Sequence, residues 1–340
     1  MRVLHLAGSP TSAFFDDLSR LYAQDCLDAV TDPHHEPHVA HVAHVAPDGR
    51  WRFPADLRAA AIAAAEPMSL PAALAHLAGL GVDVAVPQMF CPPGMTTYRA
   101  LLDAAGIPHV GNTAAVMALG ADKAKTRAVV AAAGVDVPAG EVLRRGDRPS
   151  RRPPVVVKPV DADNSAGVTL VRDAAGFAAA LDEAFAHSAR VLVEDYVELG
   201  REVRCGIVAR GDELVALPLE EYAVDPVTHP VRGYADKLGR GADGALELRA
   251  KGAQSAWIVD PGDPVTAPVQ AAARACHTAL GCRDHSLFDF RIDPDGRPWF
   301  LEAGLYCSFA PRSVVATMAA AAGIGLGELF RSALEQAVAR

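Results

Sequence analysis

The sequence predicts an α/β protein of three subdomains, and three observations predict it. Strand and helix signals alternate through the first hundred or so residues, a second region centres on the strand Val155-Val156-Val157-Lys158-Pro159, and a third holds an acidic hairpin near residue 295. The boundaries are drawn at 1–110, 111–190 and 191–340. A chain of 340 residues is long enough for two or three packed units of this size.

In the first region Val3-Leu4-His5-Leu6 is a short strand that runs into a turn at Gly8. A helix over about 15–29, a strand near 39–45, a helix over 70–79 and the strand Val82-Asp83-Val84-Ala85-Val86-Pro87 follow. A helix over 97–105 and the run Ile107-Pro108-His109-Val110 close the region. Strands separated by helical stretches imply a parallel, Rossmann-like sheet. The tract His34, His35, His38, His41, His44 invites a metal reading, but its period of three places His38 and His41 on opposite faces of a strand. Val39, Val42 and Val45 favour that strand, which is expected at the surface.

The second region opens at about Gly111 with a helical run through Asp122-Lys123-Ala124-Lys125 to Ala133. A basic, proline-bearing loop at 144–154 precedes the three-valine strand. The third begins near Val191-Leu192-Val193-Glu194 and ends in a helix over 327–338.

Composition excludes some classes. A net charge of −9 with no basic run argues against nucleic-acid binding. The six cysteines have no CxxC spacing, so neither a zinc knuckle nor a disulfide framework is indicated. The amino terminus does not resemble a signal peptide and no apolar stretch reaches membrane-spanning length, so the protein is read as cytoplasmic with no membrane partner.

Two motifs carry chemistry. Leu287-Phe288-Asp289-Phe290-Arg291-Ile292 reads as a strand, Asp295-Gly296 as a two-residue type I′ turn, and Arg297-Pro298-Trp299-Phe300-Leu301-Glu302 as the return strand. That register sets residue 289 opposite 302, where Cβ atoms lie roughly 4.5–5.5 Å apart and like charges repel. A divalent cation would compensate, and oxygen ligands favour magnesium or manganese over zinc. The apolar flanks argue against an exposed acidic ribbon. In the second motif, Lys158 ends its strand and Asp163-Asn164-Ser165-Ala166-Gly167-Val168 forms a small-residue loop before a strand at 168–171. The loop can aim backbone N–H groups at a polyphosphate while Lys158 neutralises charge, or it can be a plain hairpin turn beside a snorkelling lysine. Downstream, Val191 to Val197 runs into a linker whose backbone can pair with an adenine edge, and Glu202 can accept from ribose hydroxyls.

The order of parts, Asp122-Lys123, Val157-Lys158-Pro159, the loop 163–168, Glu194 to Glu202, Tyr234-Ala235-Asp236-Lys237 and Asp289 to Glu302, resembles the ATP-grasp superfamily and its D-alanine–D-alanine ligase group over essentially the full length. The resemblance implies an ATP-grasp fold and an ATP- and magnesium-dependent (or manganese-dependent) ligase acting on small molecules. By it Lys123, Lys158 and Lys237 hold phosphates, the backbone near Ser165 closes over them, Glu194, Val197 and Glu202 hold adenosine, and Asp289 and Glu302 bind the metal. It also implies a homodimer formed through the amino-terminal domain. The family phosphorylates an oxygen of one substrate, and an amine then displaces phosphate.

The departures are as informative. The dipeptide ligases carry Arg-x-Asp where this chain has Leu287-Phe288-Asp289, and Glu-x-Asn where it has Glu302-Ala303-Gly304. Leu287 and Gly304 face each other in the expected register, so one corner of the site is rebuilt and Gly304 is assigned to the substrate pocket. Arg291 shares a strand face with Asp289 and either replaces the lost arginine catalytically or forms a structural salt bridge. Ser313 matches the serine that binds the incoming carboxylate, and Ser308 stands where the family uses a glycine backbone near developing negative charge; with Lys237 and Arg291, Ser308 completes the catalytic set.

A closer resemblance is to the ligase that finishes mycosporine-like amino acids. It rests on Leu18-Ser19-Arg20-Leu21-Tyr22-Ala23-Gln24-Asp25-Cys26, Pro87-Gln88-Met89-Phe90-Cys91, Pro218-Leu219-Glu220-Glu221-Tyr222 and Glu302-Ala303-Gly304-Leu305-Tyr306-Cys307-Ser308-Phe309-Ala310-Pro311. That family joins an amino acid such as serine or threonine to mycosporine-glycine through a phosphorylated cyclohexenone. The alternatives are an amino-acid or dipeptide ligase of secondary metabolism and a non-catalytic nucleotide sensor.

Overall fold

The computed structural model describes residues 1–30, 38–163, 165–225, 230–231 and 255–340, together with the backbone of two short strands at 238–240 and 246–248. The first sheet has the order β3-β2-β1-β4, formed by β1 (Arg2–Gly8), β2 (Val39–Val45), β3 (Trp51–Arg52) and β4 (Val84–Pro87). β1 runs parallel to both β2 and β4. A central parallel strand is covered on both faces, hence its near-continuous aliphatic run. Leu4 and Leu6 meet α3 (Leu70–Leu80) and α5 (Thr97–Ala104), while Val3 faces α1 (Ala13–Val30). Two short helices, α2 (Ala59–Ala64) and α4 (Pro92–Met95), complete this part. Gly8 ends β1 at φ +100°, and a Cβ there would lie 2.1 Å from the Val45 carbonyl oxygen, so the strand can stop this close to β2 only with glycine.

β2 corrects the expected surface strand. It lies between β1 and β3, and His44 is 3% exposed with Nε2 2.7 Å from the Asp16 carboxylate. The first half of the strand stays accessible, with Val39 57% exposed, while the second half is buried, His44 lying beneath α1, which carries Asp16.

α6 (Ala114–Gly120) and α7 (Lys123–Ala132) lead to the second sheet, of order β5-β8-β6-β7: β5 (Gly140–Arg144), β6 (Val155–Pro159), β7 (Thr169–Val171) and β8 (Arg190–Asp195). α8 (Phe177–His187) covers one face through Val155, Val157, Val191 and Val193. Period-two alternation then turns Val156, Lys158, Leu192 and Glu194 to the opposite face.

The third sheet is antiparallel, of order β14-β11-β9-β15-β16 with β10 beside β9. Its strands are β9 (Arg201–Arg210), β10 (Glu213–Ala216), β11 (Glu220–Tyr222), β14 (Ala256–Ile258), β15 (His285–Ile292) and β16 (Pro298–Gly304), with β12 (Leu238–Arg240) and β13 (Leu246–Leu248) paired separately. α9 (Thr266–Ala279), α6 and α7 pack on one face against Val203, Cys205, Ile207, Phe288, Phe290 and Phe300. Glu202, Arg204, Asp289 and Arg291 alternate onto the other.

α10 (Val314–Ala321) and α11 (Leu326–Val338) return to the first sheet, where Phe330 and Leu334 join one cluster with Val3, Val84 and Val86. Among the described residues no single helix is long and apolar enough to cross a membrane.

Candidate functional site

A cleft open to solvent lies between the free faces of the second and third sheets. Lys123, Lys158, Ser165, Glu194, Val197, Glu202, Asp289, Arg291 and Glu302 all border it, drawn from segments up to 179 residues apart in sequence. Alternation on β6 and β8 sets Lys158 beside Glu194, and the two buried side chains form an ion pair at 2.5 Å.

The acidic hairpin forms, by a different route from the one expected. Its turn is Asp293-Pro294-Asp295-Gly296, closed by Gly296 N–H donating to the Asp293 carbonyl at 2.9 Å, with Gly296 alone at positive φ (84°). A type I′ turn needs positive φ at Asp295 as well, and Pro294 favours a type I geometry instead. Phe290 therefore faces Phe300, Arg291 faces Trp299, and the register shifts by one so that Asp289 faces Glu302. Leu301 is the extra residue of that bulge. Paired residues share a face, so the bulge lets Phe300 enter the core while Glu302 enters the cavity.

Each carboxylate has a cation. Glu302 Oε1 lies 2.8 Å from Lys123 Nζ, which also donates to the Ala162 carbonyl. Burial disfavours the Lys123 charge, but Glu302, Asp163 and Asp161 outweigh it and raise its pKa. Asp289 Oδ1 lies 2.7 Å from Arg204 Nε, and Asp289 Oδ2 accepts from the other arm of that guanidinium at 3.2 Å. Arg204 was not foreseen. Arg291 takes the salt-bridge alternative: its guanidinium donates to Glu202 Oε2 at 2.8 Å, to the Pro230 carbonyl at 2.8 Å and to the Val197 carbonyl at 3.2 Å, and lies over the Tyr196 ring. Glu202 is its direct partner across β9 and β15.

Ser165 sits at φ 59°, in a loop whose Ala166 N–H donates to the Asp163 carbonyl. Asp163 also accepts from the Tyr306 hydroxyl at 2.8 Å, tying the loop to the segment after β16. Ser308, Ser313 and Gly304 lie apart from the cavity lining. Ser308 is buried and donates to Gln88 Oε1 at 3.2 Å, and Ser313 donates to the Ser308 carbonyl at 2.5 Å. Gly304 faces Leu287 across the hairpin. Lys237 lies outside the described residues. Among the described residues no group of three or more His, Cys, Asp or Glu side chains gathers as a metal site, so Asp289 and Glu302 stand as a pair.

The architecture is shared with solved ligases. VanG D-Ala:D-Ser ligase from Enterococcus faecalis superposes with a TM-score of 0.77 at 20% identity, covering 99% of each chain. A D-alanine–D-alanine ligase from Bacillus anthracis solved with ATP gives 0.71 at 18% identity, covering 100% of this chain and 98% of that one. The fold is ATP-grasp. Residues 148–335 match the family model described as D-ala D-ala ligase C-terminus. A D-alanine–D-alanine ligase from Citrifermentans bemidjiense is 33% identical over 243 residues, 71% of this chain and 74% of that protein. The chain belongs to the D-alanine–D-alanine ligase family, whose members are ADP-forming C–N ligases dependent on ATP and magnesium.

Proposed function

We propose that this chain is an amino-acid ligase of the dipeptide-forming kind, which activates an acceptor oxygen with ATP and joins the acceptor carbon to an amine. The observation that carries the proposal is the pairing of Asp289 with Glu302 on the cavity face, opposite the wall that bears Lys158 and Glu194. Two hard oxygen donors on one face suit a magnesium ion, which supplies charge neutralisation when bound. Lys123 and Lys158, both in the lining, neutralise phosphate charge, with Lys237 assigned to the same task. The backbone near Ser165 covers the phosphates, and the linker at Val197 with Glu202 receives the nucleoside. Positioning and charge neutralisation account for most of the catalysis in such transfers.

One observation favours a second reading of the acceptor. Leu287 and Gly304 face each other, and the nearest atoms a Cβ at Gly304 would meet are those of Leu287 at 3.7–3.8 Å, an ordinary van der Waals contact. That corner is uncharged and has room, which suits a neutral ring ketone such as the cyclohexenone of mycosporine-glycine. Enzyme, ATP and magnesium are therefore incubated with D-alanine, and separately with mycosporine-glycine plus an amino-acid mixture, with ADP and product masses measured. A dipeptide mass supports the first reading and a cyclohexenimine mass the second. The absence of ADP in both arms contradicts both.

A further inference from the structure

The family's arginine two residues before the metal aspartate is Leu287 here, yet a guanidinium still reaches that aspartate, from the neighbouring strand. Arg204 of β9 stands directly opposite Asp289 of β15 and grips its carboxylate with two nitrogens, at 2.7 and 3.2 Å. It does so from outside the cavity lining, whereas Asp289 itself borders the cavity. Arg204 thus approaches the carboxylate from the side away from Lys158 and Glu194. The Tyr222 ring lies 4.8 Å from the guanidinium and donates its own hydroxyl to Glu220 at 2.7 Å, which fixes the plane of the arginine.

On that side the surroundings are aromatic. Tyr22 packs on Phe90 at 5.5 Å and Phe90 on Tyr306 at 5.4 Å. Burial pushes the Tyr22 phenol up to about 12 while Arg204 and Arg312 pull against it, so both arginines act on the same ring. A carboxylate that turns to a divalent ion holds a guanidinium less strongly, and Arg204, only 17% exposed, then keeps Glu220 across β9 and β11 and has a fork free for a second anion.

We infer that Arg204 is the acceptor-anchoring cation of this ligase: it holds Asp289 until a divalent ion takes that carboxylate, and then binds an anionic oxygen of the acceptor. The inference rests on the proposed metal role of Asp289 and Glu302. It assigns a binding order, metal and nucleotide before acceptor. It also gives the acceptor chemistry: an anionic oxygen, carboxylate or enolate, on a body that packs against aromatic rings.

The test uses Arg204→Met and Arg204→Lys. Mn²⁺ affinity is measured by calorimetry in the presence of ADP, and KM and kcat are measured with D-alanine and with mycosporine-glycine plus serine. Arg204→Met, which removes the competing cation, is expected to bind Mn²⁺ about threefold or more tighter, and to raise the acceptor KM about tenfold or more with the ATP KM within about twofold. Arg204→Lys, which keeps the charge and loses the fork, falls between. A shift in the D-alanine arm assigns a carboxylate, and one in the mycosporine-glycine arm an anionic oxygen of that acceptor, its glycine carboxylate or its ring enolate. Unchanged Mn²⁺ affinity or unchanged acceptor KM in both variants overturns the inference alone. A parent enzyme that binds no Mn²⁺ with ADP overturns the metal assignment and this inference with it.

Discussion

Asp289 and Glu302 face each other because Leu301 is one residue too many for its strand. With regular alternation Glu302 would share the core-facing side of Phe300. The bulge converts a residue of the wrong parity into a cavity residue. Deletion of Leu301 removes the extra residue together with the bulge, so Glu302 is expected to stay opposite Asp289 and the ion to stay bound, whereas Asp289→Asn and Glu302→Gln should abolish turnover without disturbing the hairpin. ADP release and Mn²⁺ binding check all three; a deletion variant that no longer binds the ion contradicts the role given to the bulge.

Lys158 and Glu194 are 6% and 4% exposed, which changes what a single substitution at either can report. Lys158→Ala should weaken nucleotide binding but also leave Glu194 unpaired, at a cost of roughly 3–5 kcal/mol of stability. Lys158→Met combined with Glu194→Gln should recover most of that stability and none of the nucleotide affinity. Chemical denaturation and ATP titration of the single and double variants separate the two effects. Equal stability in Lys158→Ala and the parent would show that the pair is not buried in solution.

Gly304→Asn restores a metal ligand of the dipeptide ligases and narrows the uncharged corner. It is expected to lower ligation of a cyclohexenone acceptor more than nucleotide binding. The double change Leu287→Arg with Gly304→Asn sets a second guanidinium within two residues of Asp289, in competition with Arg204, and should lower it further. The check is the ratio of KM values for acceptor and ATP. If the double variant ligates mycosporine-glycine as well as the parent, Leu287 and Gly304 do not contact the acceptor.

Acid sensitivity has a separate source. His5 is fully buried in β1, stacked near Phe330, and burial with the neighbouring His38 lowers its pKa to about 3. His277 and His285 are each lowered to about 4, chiefly by burial. A folded pKa below the unfolded value near 6.5 means that the unfolded chain binds more protons, so stability present at neutral pH drains as pH falls from about 6.5 toward 4. Each ring contributes on the order of 1 kcal/mol of loss between pH 6.5 and 5. His5→Leu should flatten that slope in denaturation midpoints measured from pH 5 to 7.5, and an unchanged slope would exclude His5 as a contributor.

The parts of this site visible in sequence are those fixed by local chemistry. Val155-Val156-Val157 announces β6, and period two then commits Lys158 to one face; the hairpin's apolar flanks announce β15 and β16. What escaped depends on contacts between distant strands. Arg204 and Asp289 are 85 residues apart, joined by a register that no turn sets, so nothing near either residue reveals the pair. The turn was misread because Asp295-Gly296 matches a two-residue hairpin, while Pro294, one residue earlier, selects a type I turn. Two errors in register, one at the turn and one at Leu301, cancelled at residues 289 and 302. Ser308 and Ser313 show the opposite limit: matched by position to a motif, they are occupied with Gln88 and with each other.

The return of α11 to the first sheet has a consequence during synthesis. Val3, Val84 and Val86 emerge from the ribosome early, but the Phe330 and Leu334 side chains that cover them come at the far end of the chain. At roughly 5–20 residues per second that face waits on the order of tens of seconds for its lid. The amino-terminal sheet is thus the earliest part to form and among the last to be sealed, and the exposed valines are the nascent chain's point of vulnerability to misassociation.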